Sequence, residues 1–145
     1  MMKTSFSVIT AIMIGISTSA LAEDIIITSG VKGGMYHGTY ATNIAKLMKQ
    51  KGHDSKIETS TGSIQNLKRL ESGEAQIGFA TADAYALYLR KGGSQLEILS
   101  SLNEECGYLV APVNGKVGDE DDLQSVKGVK IAIGPDGSGS NAMWT

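Results

Sequence analysis

One cysteine, two prolines, two histidines and one tryptophan are all that this 145-residue chain holds of those types. Each scarcity closes off a reading. The lone Cys106 cannot form an internal disulfide, and with only His37 and His53 for company it has no zinc-ligand spacing. It reads as a buried structural thiol in a strand-like region. Basic residues are not in excess, since 13 Lys and Arg face 15 Asp and Glu. No surplus is left to neutralise phosphates, so nucleic acid is not an expected partner. A hydrophobic share of 41% is too high for a disordered chain. The apolar run near the start is well short of the roughly 20 residues that span a bilayer.

What is present begins with a segment that reads as an export signal over residues 1–22. Lys3 supplies the positive start. Phe6 to Ile16 is apolar apart from Ser7, Thr10 and Gly15, and Ala20-Leu21-Ala22 is a small-x-small cleavage site. The competing reading, a membrane anchor, needs a longer apolar core. Cleavage after Ala22 is expected, with the mature protein starting at Glu23 in the periplasm. No cysteine follows that site, so lipid attachment there is excluded. The acidic run Asp119-Glu120-Asp121-Asp122 reads as a solvated turn rather than a partner contact.

Beyond the signal, strand and helix patterns alternate. Ile25 to Thr28, Lys56 to Thr59 and Gln76 to Ala80 read as strands one to three. Thr39 to Lys51 reads as a helix with Tyr40, Ala41, Ile44, Ala45, Leu47 and Met48 on one face. Ser63 caps a second helix carrying Ile64, Leu67 and Leu70, and Asp83 caps a third with Tyr85, Leu87, Tyr88 and Leu89. Leu96 to Leu102, Tyr108 to Val113 and Val129 to Ile133 read as strands four to six, with a short helix near Leu123 to Val126. Strands alternating with helices predict parallel βαβ units in an α/β fold. The pattern stops at Thr145, on the first turn of a further helix, which reads as a truncated frame or fragment.

Small and hydroxyl residues gather where strands lead into helices. These junctions are Ser29 to Tyr36, Ser60 to Ser63, Thr81 to Asp83, and Gly134 to Ser140. In a parallel sheet the junctions of one unit share the carboxyl edge, where open α/β sheets bind ligands. Helix N-termini there favour an anion, glycine lets it approach the backbone, and hydroxyls add hydrogen bonds. For a single junction, capping and turn formation explain these residues. For four in succession an anion site explains them better. Enzyme readings fare worse. Gly30, Gly33 and Gly34 miss the dinucleotide spacing, Gly134 to Ser140 lacks the Gly-Lys-Ser/Thr of a P-loop, and no G-x-S-x-G elbow is present. His37 has a serine to pair with on paper but no orienting carboxylate, and reads as a rim residue.

Three motifs carry a resemblance. They are Gly33-Gly34-Met35-Tyr36; Thr59-Ser60-Thr61-Gly62-Ser63-Ile64-Gln65-Asn66 followed by Leu70 to Gly78; and Asp122 to Gly134 followed by Gly137-Ser138-Gly139-Ser140. With them the chain resembles the solute-binding subunits of TRAP transporters, of the TAXI group. The resemblance implies an α/β, two-lobed periplasmic-binding-protein fold, with a first lobe over 23–102 and a crossing segment and incomplete second lobe over 103–145. It implies capture of a small organic anion, glutamate-like or a related carboxylate, for an integral membrane permease. It implies no catalysis, no cofactor and no metal. An ABC-transporter binding protein, or an enzyme on the same scaffold, are the alternatives. The ligand contacts expected are Gly34, Tyr36, Thr61, Gly62, Ser63, Thr81, Ser138, Gly139 and Ser140. Asp83 is expected to cap its helix, and to become a ligand contact if the ligand carries an amine. The chain departs from the pattern at His37, where the family often has a second aromatic, and at Thr81-Ala82-Asp83, where it often has Gln-Ser-Asp.

Cleavage is the first test. N-terminal sequencing of the exported protein is expected to begin at Glu23, and a start more than a few residues away would refute the site.

Overall fold

The computed structural model describes residues 24–119 and 127–145. The export segment and the helix expected near Leu123 to Val126 lie outside the described residues. Within them the order is β1 (Ile25–Thr28), a π-helical stretch (Tyr36–Ala41) running into α1 (Thr42–Gln50), and β2 (Ser55–Glu58). Then come α2 (Ser63–Ser72), β3 (Ile77–Gly78), α3 (Ala82–Arg90) and the four-residue α4 (Gly139–Ala142). The strands form one parallel sheet in the order β2-β1-β3. The α/β architecture and the parallel neighbourhood of the first three strands are as the sequence implies.

Alternation along the strands decides which helix covers which face. The register sets Ile27 opposite Ile57 on one side and Ile77 on the other. These residues, with Ile25 and Phe79, form a core that includes Ala41, Ile44 and Ala45 from the π-helical stretch and α1. Ile27 and Ala41 are fully buried, and enclosing a side chain such as Ile27 contributes about 1.5–3 kcal/mol. Thr28 and Gly78 point to the opposite face, under α2. A Cβ on Gly78 would lie 2.9 Å from Thr28 Cγ2 and 3.0 Å from Leu70 Cδ1. The close seat of α2 on the sheet therefore requires glycine there. A second apolar cluster of Ala84, Leu87 and Ala142, with Ile64 against it, joins α3, α4 and α2.

The first helical run starts at Tyr36 rather than Thr39, with a wide turn in which Thr42 Oγ1 donates to the His37 carbonyl at 3.1 Å. Ser63 does not cap α2. Gly62 holds the cap position and Ser63 is the first helical residue. Asp83 does not cap α3 either, because Thr81 precedes the helix and Asp83 lies in its first turn. Strands four, five and six do not form over Leu96 to Leu102, Tyr108 to Val113 or Val129 to Ile133. Their apolar side chains stay in contact with solvent: Ile98 is 73% exposed, Tyr108 82% and Val113 100%. A β-branched run becomes a strand only with a ladder partner and a face to bury, and the described residues offer these runs neither. Cys106, expected in a buried strand, is exposed for the same reason.

Side-chain hydrogen bonds hold the segment after α3 in place of a ladder. Tyr85 Oη donates to the Leu96 carbonyl and accepts from its N–H, both at 2.9 Å. Tyr40 Oη donates to Asn103 Oδ1 at 2.9 Å, and Tyr36 Oη to Glu105 Oε1 at 2.6 Å. Glu71, on α2, accepts from the Ser94 hydroxyl, from the buried Tyr88 hydroxyl, and from the Ser94 N–H at 3.0 Å. Those bonds, the Ser94 hydroxyl's first, hold the Glu71 carboxyl below the usual carboxylate range. The Tyr88 phenol is pushed up to about 12 by burial and by its bond to Glu71.

A carboxyl whose folded value is depressed stabilises the fold above its unfolded value, about 4.3 for Glu, and the contribution is lost as pH falls through the folded value. Glu71→Gln is therefore expected to lower the urea midpoint at pH 7. The gap to the wild type should narrow as the pH is brought from about 5 to about 3. A gap independent of pH would show that the Glu71 charge contributes nothing.

Candidate functional site

Two strand ends, those of β1 and β3, are tied to α2 at the carboxyl edge by Asn66, a fully buried amide on that helix. Its Nδ2 donates to the Ser29 carbonyl just past β1 at 2.7 Å and to the Phe79 carbonyl just past β3 at 2.8 Å. Its Oδ1 accepts from the Thr28 hydroxyl at 2.7 Å. Only this amide orientation matches two donors to two carbonyls. Arg69, one turn on, donates to Thr28 Oγ1 at 3.1 Å and to the Thr59 carbonyl past β2 at 2.8 Å. The ladder also runs on into the loops, with Ser29 N–H to the Glu58 carbonyl and Ser60 N–H to that of Gly30. The three Asn66 bonds lie in a buried layer, where each is stronger than it would be in water, and the Arg69 bond to Thr59 lies at its exposed margin.

These fixed starts bring several of the expected residues together. Gly62 has φ of 133° and lies against the 134–140 loop; a Cβ there would sit 3.0 Å from Ser138 Cα. Both the positive φ and the approach demand glycine. The Gly137 carbonyl accepts from the Ile64 N–H at 3.0 Å, which satisfies one of the open donors at the start of α2. Thr61 closes the same turn, its N–H and hydroxyl both donating to Gln65 Oε1 at 2.7 and 3.1 Å. Gly139 sits over Thr81 and Ser63, since its Cβ would lie 3.2 Å from Thr81 Cγ2 and 3.6 Å from Ser63 Oγ. Ser63 Oγ accepts from the Thr81 N–H at 3.2 Å. Thr81 Oγ1 is shielded from solvent and has no hydrogen-bond partner among the described residues. A buried hydroxyl left unpaired costs about 1–3 kcal/mol, so it marks a place where a partner is wanted.

The other expected residues lie further out. Tyr36 stacks on Phe79 with ring centroids 5.4 Å apart, and Tyr40 leans on both rings. Burial, then the bond to and charge of Glu105, with Tyr40 and Asp83 behind them, push the Tyr36 phenol far above its ordinary value. Tyr36 is thus a neutral donor committed to Glu105. Asp83 is exposed, and its Oδ1 accepts from the Ala84 N–H at 2.8 Å. Gly34 belongs to the turn after β1, where its N–H donates to the Val31 carbonyl at 3.0 Å. Ser138 Oγ accepts from the Asn141 N–H at 3.2 Å and caps α4. Ser140 is exposed. The structure therefore gathers Thr61, Gly62, Ser63, Thr81, Ser138 and Gly139, and leaves Gly34, Tyr36, Asp83 and Ser140 at the margins.

Sequence reasoning missed Asn66 as a hub, and it missed that Ser29 and His37 are joined. Asn66 stands between Ile64 and Leu67, and a polar residue inside the apolar stripe of α2 was the signal available. Ser29 Oγ lies 2.9 Å from His37 Nδ1 and donates to the Glu58 carbonyl at 2.9 Å. Ser29 is fully buried. A hydroxyl that is enclosed and bonded to a main-chain carbonyl is not placed to attack a substrate. Among the described residues no group of three His, Cys, Asp or Glu side chains could hold a metal ion.

Asn66→Ala would strand two buried carbonyls and the Thr28 hydroxyl. A loss of about 3 kcal/mol or more is expected in urea unfolding. Asn66→Asp should be at least as damaging at pH 7, because it sets a carboxylate against two carbonyls. A loss under about 1 kcal/mol for either would refute the hub.

Residues 27–145 match the family model described as the NMT1-like family. No curated protein and no solved structure matches the chain.

Proposed function

The chain belongs to the NMT1-like family, a family of periplasmic-binding type, and from that premise we propose that it is an exported solute-binding protein that captures a small organic anion. The ligand is a carboxylate, and the protein passes it to an integral membrane permease of the TRAP type. The capture point is the carboxyl edge of the sheet, between the starts of α2 and α3 and the loop at 134–140. Export by way of the segment ending at Ala22 belongs to the same proposal.

The observation that carries this reading is Thr81 Oγ1, a buried hydroxyl with no partner among the described residues. It lies beneath Gly139 and beside Ser63, at the foot of two helices longer than two turns. A carboxylate oxygen reaching it would accept the orphaned hydroxyl proton and meet the positive ends of both helices. The Gly137 carbonyl on the Ile64 N–H occupies the kind of position a ligand oxygen would take at the start of α2. Binding is thus proposed to exchange a main-chain acceptor for a charged one. A hydrogen bond to a charged group contributes about 1.5–3 kcal/mol.

The test uses Thr81→Val, which keeps the shape and removes the hydroxyl. Unliganded Thr81→Val is expected to be at least as stable as the wild type, because an unpaired buried group is gone. Its affinity for a carboxylate ligand, found by calorimetry on a panel of small organic acids, should fall about ten- to a hundredfold. Gln50→Ala, on the exposed side of α1, is the control. Unchanged affinity in Thr81→Val would remove the carboxyl-edge site from consideration.

A further inference from the structure

His37 stands where the ends of β1 and β2 meet, and its hydrogen bonding decides which of its ring nitrogens is free. Ser29 Oγ makes two contacts, one to the Glu58 carbonyl at 2.9 Å and one to His37 Nδ1 at 2.9 Å. The carbonyl has no proton, so the first contact exists only if the Ser29 hydroxyl donates to it. A hydroxyl has one proton. The second contact must therefore run from His37 Nδ1–H to Ser29 Oγ. In the neutral ring this leaves Nε2 without a proton and with its lone pair exposed. His37 is half-buried, its side-chain hydrogen bond is at Nδ1, and Nε2 is not among the enclosed unpaired atoms of the described residues, so it meets solvent. Ser29 is fully buried, so the anchored nitrogen faces the floor and the free one lies further out.

We infer that His37 is a specificity-determining ligand contact, a tautomer-fixed acceptor that selects carboxylates bearing an O–H or N–H donor. This rests on the solute-capture reading above and adds to it the chemistry of a second group on the ligand. A bare acid would leave the Nε2 lone pair desolvated and unpaired on binding, and such omissions discriminate strongly. Tyr36, the neighbouring side chain, cannot supply the donor, because its hydroxyl is committed to Glu105. Ser29 acts through His37 as a positioning residue.

Two measurements on the full chain test the inference. Nitrogen-15 shifts of the neutral His37 ring, told apart from those of His53 by His53→Gln, identify the protonated nitrogen. The expected form carries the proton on Nδ1, and Ser29→Ala should release it to the mixture seen in free imidazoles. Calorimetry with glutarate, 2-hydroxyglutarate and L-glutamate, which share a carbon skeleton, then reads the selectivity. The wild type should prefer a donor-bearing acid to glutarate by about tenfold. In His37→Phe that ratio should collapse to about one, with glutarate bound more tightly than by the wild type because no lone pair is left unpaired, and His37→Gln, whose amide oxygen can accept, should restore part of the ratio. Gln50→Ala should behave as the wild type. A ring protonated on Nε2, or a selectivity ratio unaltered in His37→Phe while the acids still bind, would overturn the inference and leave solute capture standing. If none of the three binds, the comparison is made between the best-binding acid of the wider panel and its hydroxy or amino derivative, and failure of the whole panel to bind would overturn both.

Discussion

Asn66 joins the chain past β1 to the chain past β3, where the ladder between the two strands has run out. Its two amide protons and one oxygen meet the main chain past β1, the main chain past β3 and the Thr28 hydroxyl. Arg69 extends the same network to the end of β2. A parallel sheet sends each strand out at the same edge, and there the ladder stops while the loops diverge. Without internal partners the carbonyls of Ser29 and Phe79 would have to reach water or distort the strand ends. A single amide fully bonded in a dry layer holds them instead, and with them the starting points of the loops after β1 and β3.

The hydrophobic core has a simpler origin. The strand pleat puts Ile25, Ile27 and Ile57 on the face that takes Ala41, Ile44 and Ala45, and Thr28 and Gly78 on the face that takes α2. Gly78 permits the second contact because any side chain there would collide with Leu70. Once both faces are covered, the segment after α3 has no place in the layers. It is held at its margins by tyrosine hydroxyls and by Glu71, polar contacts that fix a path without burying the apolar residues along it. Those exposed residues are the ones that looked most like strands.

At the carboxyl edge two features pull in the same direction. The Gly137 carbonyl engages an open donor of α2, and the Thr81 hydroxyl has no acceptor. A charged oxygen bound there would serve both groups better than the present arrangement does. The Ser29–His37 contact extends this polar rim toward β2, where a buried hydroxyl commits one ring nitrogen and leaves the other to the surroundings.

How much of this was legible beforehand follows from the range of each interaction. Hydrophobic period and chain punctuation act over a few residues, and they were enough for the α/β class, for β1 and β2, and for the three longer helices. They also placed the hydroxyl and glycine clusters at strand-to-helix junctions. They failed at Leu96 to Leu102, Tyr108 to Val113 and Val129 to Ile133, because strand formation depends on a partner that local pattern does not reveal. They assigned caps to Ser63 and Asp83 where the turn geometry handed that place to Gly62 and Thr81. Partners that lie 13 to 38 positions apart in the chain, such as Asn66 with Phe79, Ser29 and Thr28, were out of reach. The sequence by itself determined which residues are apolar, which are small and where turns fall. Only the tertiary structure decided which hydroxyl is left unpaired and which imidazole nitrogen is engaged, because each of those depends on where a distant carbonyl or hydroxyl comes to rest.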